Sequence, residues 1–168
     1  LPVAALVAYE TMKQKSAEAG VKYILSSALA SGSAIFGISL LYATTGTLYF
    51  DGFADVLTIS NLAILGFIFF FSGLAFKISL APFHFWTADV YEGAPINVAS
   101  YLSVISKGAA VVILMIVLFT VFKPLMPVWI KIIYIIAIAT MFIGNLFALR
   151  QENMKRFLAY SSIAQAGF

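Results

Sequence analysis

The sequence has no cysteine, a single histidine and few charges. Without thiols there is no thiolate iron–sulfur ligation, and one histidine cannot supply bis-histidine haem ligation. Any redox cofactor is therefore expected in another subunit. Charged residues make up 10% of the 168 positions, whereas a soluble domain carries roughly a quarter. That scarcity sets the chain apart from ordinary soluble domains. The net charge is +3 and the isoelectric point about 9.2, a balance that also occurs in nucleic-acid-binding proteins. Here the basic residues are scattered between apolar runs instead of clustering, which argues against nucleic acid and for a membrane-topology signal.

What is abundant is hydrophobic: 62% of the residues, with a mean hydropathy of +1.02. The apolar runs are about twenty residues long, not ten-residue alternations, so spanning helices are favoured over a barrel. The expected fold class is all-α, a polytopic transmembrane helix bundle. The pattern predicts spans over 17–43, 61–93, 96–122 and 128–149, with partial helices over 1–9 and 153–168. Ser, Ala and Gly are frequent in the first span, as at Ser26, Ala30, Ser33 and Gly37, which is how tightly packed membrane helices read. Gly46, Asp51, Gly52 and Asp55 mark a loop over 44–60. The chain opens on Leu1 and stops at Phe168 inside a helical pattern, so it is expected to be a fragment of a longer one.

The stretch 61–93 would extend to about 50 Å as one helix, more than a straight crossing needs. An interruption near 78–82 is expected, with Pro82 as its cause, because proline lacks a backbone donor and its ring clashes with the carbonyl four residues earlier. The discontinuous helix carries Lys77, and Lys107 lies about a dozen residues into the next span. An ammonium at mid-membrane depth costs roughly 2.5–3.5 kcal/mol even on the lenient insertion scale. Either each lysine snorkels to the interface or it faces a polar interior, and the long apolar flanks favour the second. Desolvated lysines on adjacent helices suit a proton relay, since a neighbouring charge can switch their protonation. His84 stands seven residues after Lys77, about two helical turns, and imidazole suits proton transfer, although a lone histidine more often serves packing. Glu18 and Lys22 have the spacing of an intrahelical ion pair. Asp89 and Glu92 are expected near the end of the broken helix. The Lys/Arg excess on the side of Lys13, Lys15, Arg150, Lys155 and Arg156 should face the cytoplasm or its equivalent.

The run FKISLAPFHFWTADVYEGAP at 76–95 resembles the signature of the antiporter-like N subunit, subunit 2 in mitochondria, of NADH:quinone oxidoreductase, respiratory complex I. SAEAGVKY at 16–23, SVISKGA at 103–109 and GNLFALRQENMKRFLAYSSIAQAGF at 144–168 come in the family's order, so the resemblance covers essentially the whole chain. It implies an antiporter-like, proton-translocating fold in which Lys77 matches the lysine of the discontinuous helix. Lys107 matches the connecting lysine on the next helix, His84 the histidine after the break, and Glu18 with Lys22 a charged pair on the preceding helix. The family's glutamate partner for Lys77 would lie before Leu1 and its distal lysine beyond Phe168. Ala88 and Asn97 stand where the family often has proline. The resemblance further implies a translocase subunit without redox chemistry of its own, with NADH, FMN, iron–sulfur clusters and quinone in partner subunits. Other membrane subunits, lipids and protons would be its partners, and no metal or cofactor is expected in this chain. PFHFWTADVYEGAP reads as bacterial, which points to the inner membrane, with plastid thylakoid or mitochondrial inner membrane as alternatives. A cation/proton antiporter or membrane-bound hydrogenase subunit of the same superfamily is the competing function, and a non-transporting membrane scaffold the third.

Overall fold

The computed structural model describes residues 2–10 and 12–168, so Leu1 of the expected partial helix and Thr11 of the polar stretch after it lie outside the described residues. Every regular element among the described residues is helical: α1 (Pro2–Val7), α2 (Gln14–Thr45), α3 (Phe53–Val56), α4 (Asn61–Ile78), α5 (Phe85–Gly93), α6 (Ile96–Tyr101), α7 (Lys107–Thr120), α8 (Met126–Ala148) and α9 (Met154–Gly167). Helices α6 and α7 are one rod, joined through a π-helical turn at Leu102–Ser106. Four segments are long and apolar enough to cross a membrane, namely Gln14–Thr45, Asn61–Ile78, Ile96–Thr120 and Lys123–Ala148. Large apolar side chains such as Leu29, Ile35, Ile135 and Phe142 point outward, a surface suited to lipid or to further helices.

Between helices, packing relies on small residues. A Cβ built on Gly37 would collide with the Phe70 nitrogen and come within 2.6 Å of the Gly66 carbonyl oxygen, so α2 and α4 touch backbone to backbone. The Ser33 hydroxyl, bonded to the Ser72 hydroxyl, ties the same pair of helices. Gly144 plays the corresponding part between α8 and α9, where a Cβ would meet the Ala164 nitrogen at 2.5 Å. Close approach of this kind replaces the hydrophobic driving force that lipid cannot supply.

The interruption expected near 78–82 occupies residues 79–84, between α4 and α5. Its cause differs from the one expected. Helix α4 already ends at Ile78, where Ser79 adopts a left-handed conformation (φ 67°, ψ 40°). The Ser79 N–H donates to the Phe76 carbonyl (3.1 Å) and the Leu80 N–H to the Ala75 carbonyl (2.9 Å), which is the bond pair of a Schellman cap. Pro82, joined to Ala81 by a cis peptide bond, comes after the stop and has no N–H with which to rebuild a helix. The departure at Ala88 does not disturb α5, which runs through it with Ala88 buried. Two further bonds tie the break to its neighbours. The Ala81 N–H donates to Thr140 Oγ1 on α8 (2.9 Å), and the Trp86 indole donates from α5 to the Phe76 carbonyl on α4 (3.1 Å).

The packing and the break each yield a test. Gly37→Ala should destabilise the protein by about 1–3 kcal/mol through overpacking, whereas Gly32→Ala, whose Cβ would meet nothing within 4 Å, should be silent. Thermal inactivation of the assembled membrane protein in detergent distinguishes them. Thr140→Val keeps the shape but leaves the Ala81 N–H unpaired, at a cost of about 1–3 kcal/mol; an unchanged midpoint would show that this bond carries no weight.

Candidate functional site

Helix geometry sets the depth of the two lysines. Lys77 lies in the last turn of α4, beside Tyr23 of α2. Tyr23 is nine residues into α2, and Lys107 eleven residues past Ile96, which places the two at about 14 and 16 Å from the same end of the bundle. Thirteen further residues, or about 20 Å, separate Lys107 from Thr120 at the other end.

The half-buried Lys77 ammonium donates to the Tyr23 hydroxyl (3.4 Å) and stands 5.7 Å from the centroid of that ring. Lys107 is buried, at 7% exposure, while its neighbours Gly108 and Ala109 are exposed. Its ammonium donates to Ser162 Oγ (2.6 Å) and to the Ser162 carbonyl on α9 (3.2 Å), and lies 5.8 Å from the centroid of the Tyr91 ring. The π turn directly before Lys107 widens the helix and resets the rotational phase of α7, a feature that recurs at functional sites. Neither lysine forms an ion pair among the described residues. Both are seated on neutral oxygens and aromatic faces. A cavity of about 840 Å³ opens beside Lys107, lined by Tyr91, Ser103, Ser162 and Gln165 among others.

His84 is the residue before α5 and is buried, at 5% exposure, with its ring stacked on Phe85 (centroids 4.5 Å apart). Its two-turn spacing from Lys77 does not operate as expected, because the chain leaves the helix between them. Ser79 Oγ, His84 Nδ1, Thr87 Oγ1 and Tyr91 Oη are all buried without a hydrogen-bond partner among the described residues. His84, Thr87 and Tyr91 succeed one another at three- and four-residue steps, so they share one face along α5.

Glu18 and Lys22 form their intrahelical pair (2.7 Å), but Lys22 also binds Asp89 of α5 at 2.7 Å. The pair thus belongs to a larger network at the basic end of the bundle. Arg156 of α9 donates to Asp89 (2.8 Å) and to Glu92 (2.9 Å), and Lys15 of α2 reaches Glu92 (2.8 Å). Lys155 caps the end of α5 by donating to the carbonyls of Glu92 and Ala94 (3.3 and 2.9 Å). From sequence Arg156 reads only as a topology charge, Trp86 and Tyr91 as interfacial-belt or packing aromatics without chemistry, and Tyr23 and Ser162 as ordinary helix residues. Arg156, Tyr23 and Ser162 matter through contacts across more than fifty residues of chain, for which a single sequence carries no local signal, while Trp86 and Tyr91 meet Phe76 and Lys107 only 10 and 16 residues away.

A family model described as NADH:quinone oxidoreductase/Mrp antiporter, TM, matches residues 1–168. NADH-quinone oxidoreductase subunit N of Phocaeicola vulgatus is 56% identical over 168 residues, covering all of this chain and 36% of the relative. The subunit of that name from Rubrobacter xylanophilus is 43% identical over 170 residues, again covering this whole chain and 35% of the relative. The chain thus spans about a third of the length of the curated relatives it matches. Among solved structures, a chain of respiratory complex I from Thermus thermophilus superposes with a TM-score of 0.81 at 36% identity, covering 99% of this chain and 36% of that one. A chain of the Mrp complex from Dietzia sp. superposes with a TM-score of 0.87 over 99% of this chain and 32% of its own; at 23% identity this likeness concerns the fold alone.

The charge network can be tested for coupling. Arg156→Ala takes one cation from each of Asp89 and Glu92, whose side chains are 31% and 17% exposed, and should cost about 1 kcal/mol after solvent screening. Combined with Asp89→Ala, the loss should fall short of the sum of the two single changes by about 0.5–1 kcal/mol. A four-variant cycle on thermal unfolding of the assembled complex measures this, and strictly additive losses would mean that the network does not act as a unit.

Proposed function

Because the chain belongs to the NADH:quinone oxidoreductase/Mrp antiporter transmembrane family, we propose that it forms the proton-translocating core of an N-type membrane subunit of NADH:quinone oxidoreductase. The observation that carries this reading is the placement of Lys77 and Lys107 at similar depth, beside the end of a broken helix and a π turn, with only neutral partners. A lysine held by a carboxylate stays charged, whereas one seated on hydroxyl, carbonyl and ring is free to change state as a nearby charge approaches or leaves. Protonation of one amine creates a charge that repels an ammonium at the other through a medium of low dielectric, so a change at Lys77 biases Lys107. His84, buried with Nδ1 uncommitted, is available to accept or return a proton next to the break. The Glu18–Lys22 pair, bound into the Asp89–Arg156 network, holds the basic end of the relay in place.

The protein is an integral membrane protein with helices long enough to span the bilayer. In this reading it resides in a bacterial inner membrane and is covered by other membrane subunits of the complex and by lipid. NADH, FMN, iron–sulfur clusters and quinone belong to the partner subunits, and electron transfer there supplies the drive. Proton movement, not redox chemistry, is this chain's share of the translocase activity.

Proton pumping by the full complex in membrane vesicles tests the reading. Lys77→Ala and Lys107→Ala should each sharply reduce the protons pumped per NADH oxidised in an assembled complex, while Lys131→Ala, an exposed position on α8, should not. Unchanged pumping in both buried-lysine variants would sink the relay and leave the chain as a scaffold.

A further inference from the structure

The two lysines are linked by an unbroken series of aromatic rings. Lys77 stands over Tyr23 and Lys107 over Tyr91, at 5.7 and 5.8 Å from the ring centroids. Between the tyrosines stands Trp86, its ring 5.3 Å from Tyr23 and 6.4 Å from Tyr91, edge-on to both (60° and 76°). Phe76 backs the indole at 5.0 Å. All four rings are buried, between 3% and 7% exposed.

We propose that Trp86 is a partition between the two lysines, a positioning residue that separates their proton-exchanging groups; the proposal rests on the proton-transfer reading above. Proton hopping needs groups that both donate and accept. The tyrosine hydroxyls do both, but indole has a single N–H and no acceptor. In Trp86 that N–H is already committed to the Phe76 carbonyl at 3.1 Å. A fully occupied donor with no lone pair to offer cannot pass a proton, and the apolar body of the ring offers a water molecule no hydrogen-bond partner.

The pin also explains why the partition stands where it does. Phe76 lies in the last turn of α4, next to Lys77; its carbonyl accepts the Ser79 N–H of the Schellman cap on one lone pair and takes the indole on the other. Trp86 belongs to α5 but is fastened to α4, so the partition keeps station with the half-helix that carries Lys77. Exchange between the lysines then requires the partition to shift, and this makes transfer conditional on movement at the break.

The test compares substitutions matched in shape but opposite in proton chemistry, in the assembled complex in vesicles. Trp86→Phe and Trp86→His both retain a ring, yet only histidine donates and accepts; Trp86→Leu and Trp86→Gln repeat the contrast without a ring, should either aromatic variant fail to assemble. NADH oxidation and protons pumped per NADH oxidised are read together. The expected result is a loss of pumped protons per NADH in Trp86→His and Trp86→Gln at retained oxidation, with the ratio preserved in Trp86→Phe and Trp86→Leu. Equal ratios within each pair would overturn the partition, because a purely structural role responds to shape and not to proton chemistry. If Lys77→Ala abolishes pumping while the pairs agree, only the partition fails; if Lys77→Ala and Lys107→Ala are both silent, the underlying reading fails first.

Discussion

A helix inside a bilayer can stop only where the backbone groups it frees find other partners, and the segment between α4 and α5 is built to meet that requirement. The Schellman cap closes two carbonyls of α4 from within. Thr140 on α8 takes the Ala81 N–H, and the Trp86 indole takes the remaining capacity of the Phe76 carbonyl. Each of these bonds comes from a different element, so the break is a junction in which α4, α5 and α8 fix one another. Without the junction, α5 would have no defined direction. Tyr91, Asp89 and Glu92 would then lose their places relative to α7, α2 and α9.

The far end of α5 is held by a second, electrostatic device. Asp89 and Glu92 draw cations from two helices that are remote in sequence, α2 through Lys15 and Lys22 and α9 through Arg156. These groups are partly exposed, so each pair alone contributes little. Their value lies in number and geometry: one guanidinium bridges two carboxylates, and Lys155 closes the carbonyls at the end of the same helix. A short helix of nine residues is thereby anchored at both ends, by the Trp86 indole bond to α4 at depth and by charge at the basic end.

Much of this was legible in the sequence because it derives from lipid. Hydropathy and run length lead to an all-helical membrane bundle, and a stretch too long for one straight crossing signals an interruption. The depth of Lys77 and Lys107 comes from counting residues along apolar runs. What escaped were features set by tertiary contact or by backbone geometry with weak sequence correlates. Ser79 in the left-handed region is one, since that conformation favours glycine or asparagine and gives no reason to expect serine; Pro82, the more conspicuous residue, drew the attribution instead. The π turn before Lys107 is another, because LSVIS at 102–106 has no composition that sets it apart from an ordinary helical turn. Glu18 and Lys22 could be paired from their spacing, but the Asp89 that shares Lys22 is 67 residues away.

The distribution of partners between the two regions has a functional logic. Among the described residues, the carboxylates that meet a cation do so at the basic end or on the adjoining surface, including Glu10 with Lys13. The lysines at depth are given a phenol, a serine and two aromatic faces. Ion pairs suit the first region because their task is to hold helices in place, and a carboxylate beside an ammonium keeps both charged. They would not suit the proposed relay in the second, because a group that never changes charge cannot carry a proton. Neutral oxygens and ring faces satisfy an ammonium well enough to keep it within the bundle, while leaving its protonation open to a charge that arrives from elsewhere. On the proposed relay, the same small set of ionisable side chains would serve as fastening at one end and as movable charge in the middle, with the identity of the partner atoms deciding which.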